Sequence, residues 1–416
     1  MEPSSQQTCN PPADGDLARL ERLMAHVREA PGRFRSVAAM AGAAGLAGPG
    51  LERLFLTHAH LEASAFLREA RVRAACRMLP GSGAEAVGAA CGFAGPEAFL
   101  AQFQAATGLS PMDYEALGRA DPPAGFTLTL PEGYRVEDML AYHGRDPLSL
   151  SERVEGATLV KALAVEGRGV VLEMAFQGGL VRCRVLWPAD AGDLLGQVHR
   201  RAVRMLGLGL DPAGFERFVA GTPLQPLAAL RPGLRIPLTA DVWESLVWAI
   251  LGQQVNLAFA YSLRRQLTGL CGGTTGCGLR VHPTAVQVAA LDPADLKPLQ
   301  FSRSKAEYVV GLARKVAEGA LPLEALAEGA ATTAALRLAA ERGVGPWTTH
   351  YVMMRGCGFG DCVPLGDAGL TLALQRHHQL DHRPAARETA ALMAPYAPHR
   401  SLATFHLWAS LKGVPA

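Results

Sequence analysis

Long hydrophobic runs are missing from this sequence: no apolar stretch reaches the roughly 18 residues that a membrane-spanning helix needs. Charge is sparse as well, at 19% of 416 residues against 49% hydrophobic, a balance that excludes a disordered chain. Cys-x-x-Cys pairs are absent. The eight cysteines (Cys9, Cys76, Cys91, Cys183, Cys271, Cys277, Cys357 and Cys362) are scattered, which argues against a zinc ribbon or a thioredoxin-like redox site. Free thiols in a reducing compartment are the expectation. The opening stretch, "MEPSSQQTCNPPADGD", has neither the basic start nor the apolar centre of a signal peptide, so a cytoplasmic protein is expected.

The length calls for two to four domains. Residues 17–119 read as helices, with apolar residues recurring at spacings of three and four. Two similar phrases lie within them, "VAAMAGAAGLAGPGLERLF" and "AVGAACGFAGPEAFLAQF". Each reads as a short helix, a glycine turn, and a second helix opening at Gly-Pro, where proline suits the first turn. After "RADPPAG" the pattern changes: "FTLTL", "ATLVKALAV", "GVVLEMAF" and "LVRCRVLW" have strand character, and "LLGQVHRRAVRMLGL" reads as a helix. A small α+β domain over 124–229 follows, and helices resume over 230–416. The fold class is therefore multidomain and mainly α.

The phrase "GVGPWTTHYV", residues 343–352, gives a helix, a glycine hairpin and a second helix. Backbone N–H groups of Gly343, Val344 and Gly345 at such a hairpin can grip a phosphate without reading a base. Trp347 and Tyr351 stand four residues apart, on one face of the second helix. Such a pair is usually core, and the alternative is the wall of a cleft. Asp367 opens a further helix in "VPLGDAGL", where it is either an ordinary N-cap or a carboxylate held ready by the helix dipole. A carboxylate beside an aromatic cleft suits cleavage of a glycosidic bond through a cationic sugar.

Residues 20–118 resemble the paired helix-turn-helix domain of AraC-type transcription regulators. Residues 124–413 resemble the 3-methyladenine DNA glycosylase II family, and 240–413 the wider helix-hairpin-helix glycosylase superfamily. The phrases that carry this are "RPGLRIPLTADVWESLVWAILGQQVNLAFA", "LKPLQFSRSKAEYVVGLA", "GVGPWTTHYVMMRG", "VPLGDAGL" and "SLATFHLW", in order over nearly 300 residues. The resemblance implies base-excision repair of alkylated purines by base flipping. It places Asp367 as the catalytic aspartate and Tyr142, Trp347, Tyr351 and Trp408 around the lesion pocket. Gln253 and Gln254 fall where the family inserts a wedge into the helix, and there Gln254 is polar where an apolar residue is common.

Superfamily members that also cut the strand carry a lysine where Trp347 stands, so a monofunctional hydrolase is expected. No cysteine follows Cys362, which speaks against the iron–sulfur cluster of some relatives. No cofactor and no metal are implied. The expected partner is double-stranded DNA containing alkylated bases, met by a monomer associated with the nucleoid and not with a membrane. An AraC-type regulator of the alkylation response, with a glycosylase-like half that only binds, is the competing reading. Related regulators begin with a methyl-accepting zinc domain, and the stretch before the first helix holds only Cys9, so that chemistry is not expected here. The two helix-turn-helix units differ in charge, +5 over residues 17–78 and −4 over 79–118, so the first is expected to touch DNA and the second mainly to pack.

Overall fold

The computed structural model describes residues 14–119 and 125–411. The expectation attached to Cys9 lies outside them. Seven helices come first: α1 (Asp14–Glu29), α2 (Val37–Ala43), α3 (Gly48–His58), α4 (Ala63–Met78), α5 (Ala84–Ala90), α6 (Pro96–Thr107) and α7 (Pro111–Ala116). Ser36 caps α2 and Ser110 caps α7, each side chain accepting a backbone N–H of the first turn. Pro49 and Pro96 sit in the first turns of α3 and α6, as the Gly-Pro phrases predict. The α2–α3 and α5–α6 pairs are the two helix-turn-helix units, and α4 joins them.

Five strands form one antiparallel sheet in the order β1–β5–β4–β3–β2. They are β1 (Gly125–Thr129), β2 (Glu152–Glu155), β3 (Thr158–Val165), β4 (Arg168–Gln177) and β5 (Leu180–Trp187), with α8 (Val136–His143) between β1 and β2. The edge strand β2 and helix α8 carry no clear periodicity of their own. Alternation along β3 and β4 sends Leu159, Leu163, Val170 and Leu172 to one face. Val160, Ala162 and Val171 face the other side, against Leu279 and Val281. Helices α9 (Leu195–Met205), α10 (Pro212–Phe218) and α11 (Gln225–Leu230) lead out of this domain.

The C-terminal region is a bundle of helices around α12 (Val242–Gly252), whose residues Val242 to Leu251 are all buried. A helix apolar on every side belongs at the centre of a domain. Around it lie α13 (Leu257–Cys271), α14 (Ala285–Ala289), α15 (Arg303–Ala317), α16 (Leu323–Glu328), α17 (Ala331–Ala339), α18 (Pro346–Val352), α19 (Ala368–His377), α20 (Ala386–Met393) and α21 (Arg400–Ser410). Among the described residues no helix is long and apolar enough to cross a membrane.

The two helix-turn-helix units meet the rest of the chain differently. Leu20, Met24, Phe34, Leu51, Phe55 and Phe66 give the first a core of its own, closed on one side by Ala330. It docks on the helical bundle: His58 Nδ1 lies 3.1 Å from Thr332 Oγ1, and the Arg28 guanidinium donates to the Glu328 carbonyl. The second unit has no separate core. Phe99, Phe103 and Tyr114 continue into Phe126, Leu128 and Leu172 of the sheet. His199 of α9 donates Nε2–H to the Thr107 carbonyl at 2.7 Å and lies edge-on to both Tyr114 and Phe126.

Candidate active site

Helices α17 and α18 are joined by the glycine hairpin. Gly343 has φ 89°, and a Cβ there would meet the Tyr308 ring at 2.4 Å, so only glycine fits. Neither Gly343 nor Gly345 donates its backbone N–H to another described residue. Val344 does not join them: its side chain is buried in the core and its backbone N–H donates to the Glu341 carbonyl at 3.0 Å, closing the turn, so it has no donor left for a phosphate.

Asp367 is the N-cap of α19. Its Oδ1 accepts the Leu370 backbone N–H at 2.7 Å and the Trp408 indole N–H at 2.9 Å. Its Oδ2 accepts the Trp347 indole N–H at 3.0 Å. Three helices therefore converge on one half-buried carboxylate: α18 and α21 each supply a tryptophan, and α19 its first turn. Gly369 makes room, since a Cβ there would stand 3.2 Å from Asp367 Oδ1 and 3.3 Å from Trp408 Cδ1. The N-cap and the carboxylate readings of Asp367 are one and the same arrangement.

The aromatic residues expected around a lesion are gathered here, though their roles divide. Trp347 stacks on Tyr351, with centroids 5.2 Å apart and planes at 26°, and Tyr351 lies 6.5 Å from Trp408. Both tryptophans spend their only donor on Asp367. Burial pushes the Tyr351 phenol up to about 12, and Tyr142, Arg355 and Arg145 lie within electrostatic range of it. Tyr142, on α8, is not an open stacking platform. The Arg145 and Arg355 guanidinium carbons sit 3.9 Å and 4.2 Å from its ring centroid. Burial alone would raise this phenol, but the two guanidiniums outweigh it and hold it below the ordinary range. The cleft also contains Trp248 and Tyr261, 5.0 Å apart, which the sequence reading did not single out.

Gln253 and Gln254 part company. Gln253 is turned inward: its Nε2 donates to the Gly343 carbonyl at 2.8 Å and to Thr348 Oγ1 at 2.9 Å, tying the end of α12 to the hairpin. Its side chain is a brace and does not project as a wedge. Gln254 is exposed, with φ 54°. Lys305 secures the same loop from below, its ammonium donating to the carbonyls of Ile250, Leu251 and Gln253 at 2.6–2.9 Å. Burial pulls its pKa down to about 8.

Beneath the cleft, a ring of buried charges clips the sheet to the bundle. Lys161 and Arg264 each bond both Glu152 and Glu244, over 2.7–3.0 Å. Burial opposes the charge on Glu244, but Lys161 and Arg264 prevail and set its pKa at about 2. Two acids and two bases close the ring without net charge. No cluster of three or more His, Cys, Asp or Glu suited to a metal occurs among the described residues.

A glycine hairpin, a tethered aspartate and an aromatic cleft define a helix-hairpin-helix base-excision fold. The sequence pattern of the HhH-GPD superfamily base excision DNA repair proteins matches residues 247–398, and a helix-turn-helix domain pattern matches 40–116. DNA-3-methyladenine glycosylase of Bacillus subtilis is 30% identical over 294 residues, 68% of this chain and 95% of that protein. DNA-3-methyladenine glycosylase 2 of Escherichia coli is likewise 30% identical, over 68% of this chain and 96% of its own length. The 3-methyladenine DNA-glycosylase of Archaeoglobus fulgidus shares the fold, with a TM-score of 0.61 at 22% identity over 69% of this chain and 98% of its own. The chain belongs to the DNA-3-methyladenine glycosylase family and carries an AraC-type helix-turn-helix region in addition.

Proposed function

We propose that the chain hydrolyses the N-glycosidic bond of alkylated purines in double-stranded DNA, with Asp367 as the catalytic carboxylate. The observation that carries this reading is the Asp367 tether, in which two indole N–H groups and one backbone N–H fix both oxygens beside the aromatic cleft. The damaged base leaves the duplex first, and a weakened pair costs less to open. The bond from C1′ to the base then breaks, and its electron pair departs with the base. Positive charge develops on the sugar, and a fixed carboxylate in a cleft of low dielectric stabilises it far more than it would in water. Water adds to C1′ and releases a proton, leaving an abasic site.

In this reading Trp347 and Trp408 orient Asp367 while presenting ring faces to the base, and Tyr351 stacks behind them. Gly343 and Gly345 offer their N–H groups to a phosphate. Gln254 enters the gap left by the base. Trp347 stands where strand-cutting relatives carry lysine, so the reaction stops at the abasic site. The segments 17–119, 124–229 and 230–416 serve as accessory, supporting and catalytic units of a monomer in the cytoplasm.

Asp367→Asn keeps the shape and removes the charge. Single-turnover release of 3-methyladenine from methylated duplex is expected to fall by about a hundredfold to a thousandfold, the range for loss of one electrostatic stabiliser. Affinity for abasic-site DNA should stay within a few-fold. Retention of more than a few per cent of the rate would remove Asp367 from the mechanism.

A further inference from the structure

Two exposed cations stand beside the hairpin and share one acid. Arg342 immediately precedes Gly343, and Arg303 lies in the first turn of α15. Arg303 Nε donates to Glu307 Oε1 at 2.8 Å and Arg342 Nη2 to Glu307 Oε2 at 2.9 Å, so the carboxylate spends one oxygen on each. The two arginine side chains are 93% and 77% exposed, open to whatever approaches this face. Tyr308 follows Glu307 on α15; its ring backs Gly343 and lies 5.6 Å from the Arg342 guanidinium carbon. Lys305, on the same two turns, holds the loop of Gln254 from its buried side. The start of α15 thus sits between the hairpin and the Gln254 loop, with both guanidiniums on its outer surface.

The charges here do not balance. Two guanidiniums face one carboxylate, and Glu341, the acid next to the hairpin, is taken by Lys315 at 2.5 Å. The Arg303 hydrogen bond, with the charge of both arginines behind it, holds the Glu307 carboxyl below its ordinary range, so it is an anion at neutral pH. Exposed ion pairs of this kind add little to stability, because water screens them and two long side chains must be held still. Holding the fold together is therefore a poor account of them. A carboxylate between two guanidiniums offers what a phosphate offers, a negative oxygen for each fork. A DNA strand carries one phosphate for about every 3.4 Å of axis, so a phosphate on the Gly343 and Gly345 N–H groups brings neighbours on either side.

Resting on the glycosylase reading above, we infer that Arg303 and Arg342 form a phosphate clamp flanking the hairpin, which Glu307 fills in the free protein as a stand-in for phosphate. When duplex DNA arrives, each guanidinium turns from the carboxylate to a backbone oxygen, and Glu307 is left facing the strand. Repulsion between that carboxylate and the phosphates loosens the grip, so the clamp takes any sequence and lets go readily. No covalent bond is made or broken in it, and neither arginine touches the base.

The test uses the full chain and an undamaged duplex, with binding followed by fluorescence anisotropy across a range of salt. Arg303→Gln and Arg342→Gln should each lower the log–log salt slope by about 0.9, the share of one phosphate. Arg303→Lys keeps the charge and loses the fork, so its slope should stay at the wild-type value while affinity falls slightly. Glu307→Gln should bind more tightly at low salt, by about threefold, and the gain should fade as salt rises. A merely structural ion pair predicts otherwise for Glu307→Gln: a lower melting temperature and no gain in affinity. The inference is overturned by wild-type slopes in both glutamine-for-arginine variants, or by Glu307→Gln binding no more tightly than wild type. Should Arg342→Gln melt early, Arg303→Gln, at the more exposed of the two positions, decides the matter. Single-turnover release of 3-methyladenine by the wild type is measured alongside. Its absence would overturn the glycosylase reading alone, since the slopes are read on undamaged DNA.

Discussion

The two helix-turn-helix units began as the same phrase and have ended in different structural service. The first keeps a private core and touches the catalytic bundle through a few polar bonds and the end of α3. The second has given its core to the sheet, so that Phe103 of α6 and Leu172 of β4 belong to one apolar cluster. Their charges follow suit. Four of the first unit's ten arginines are committed to holding structure: Arg28 to the Glu328 carbonyl, Arg71 to Phe34, Arg73 to Glu69 and Glu328, and Arg77 to the Arg28 carbonyl. The second unit's helix α6 shows solvent a face with Glu97, Leu100 and Gln104 and no cation. A repeat in sequence is thus no guide to a repeat in use; what each copy packs against decides its work.

The largest effect should come from cutting into each core in turn. Phe103→Ala and Phe55→Ala both empty a fully buried site, and each is expected to cost about 3–5 kcal/mol. The consequences should differ. Phe103→Ala loosens the sheet that carries Lys161 and supports α8, so base release should fall together with the main unfolding transition. Phe55→Ala should melt the first unit early and leave base release near wild type. Equal loss of activity in the two variants would erase the distinction. For the same reason a truncation removing residues 1–119 should expose the sheet and aggregate rather than leave a working enzyme.

Acid gives the next largest effect. Burial lowers the His199 pKa to about 4, and burial likewise takes His60, at the first unit's junction with Phe359, to about 4. A depressed histidine stays neutral in the fold while the unfolded chain takes up its proton below about 6.5. Stability is then fully present above that pH and lost as pH falls toward 4, on the order of 3 kcal/mol for a fully buried group such as His199. His199→Gln retains an N–H for the Thr107 carbonyl and cannot protonate. Its melting temperature should fall less steeply between pH 6.5 and 4. An unchanged slope would show that acid acts through other groups.

The smallest effect concerns DNA. Arg53 is exposed on α3, and Gln104 is exposed on α6. If the first unit lends one phosphate contact, Arg53→Ala should reduce the log–log salt slope of duplex binding by about 0.9. Gln104→Ala should leave that slope unchanged. A reversed outcome would make the second unit the one that touches DNA.

Much of this was legible in the sequence because it is local. Gly-Pro openings mark α3 and α6, alternation marks β3 and β4, and "GVGPW" marks the hairpin. Asp367 could be picked out as the residue that opens α19 because aspartate after a glycine loop is a favoured N-cap. The unread part depends on residues far apart in the chain. Arg264 meets Glu152 across 112 positions and Lys161 meets Glu244 across 83. Arg145 follows a short helix with weak periodicity, and nothing local announces that the rings of Tyr142, Trp248 and Tyr261 wait for it. Gln253 and Gln254 are adjacent and identical, yet the positive φ of the second turns the two side chains to opposite duties. Shared cores are equally silent, since Phe103 reads as an ordinary helix residue whichever domain it joins.

The Gln253 brace has a consequence for timing. The same amide holds the loop that presents Gln254 and the hairpin carbonyl of Gly343, with Lys305 clamping the loop from the other side. On the proposed assignment, the part that grips the backbone and the part that probes the base stack are therefore one rigid piece. A protein built this way cannot keep hold of DNA and withdraw its probe at once. Each step along the duplex becomes a complete letting-go, and each landing a complete inspection. Patrol speed and thoroughness are then set by a single dwell time.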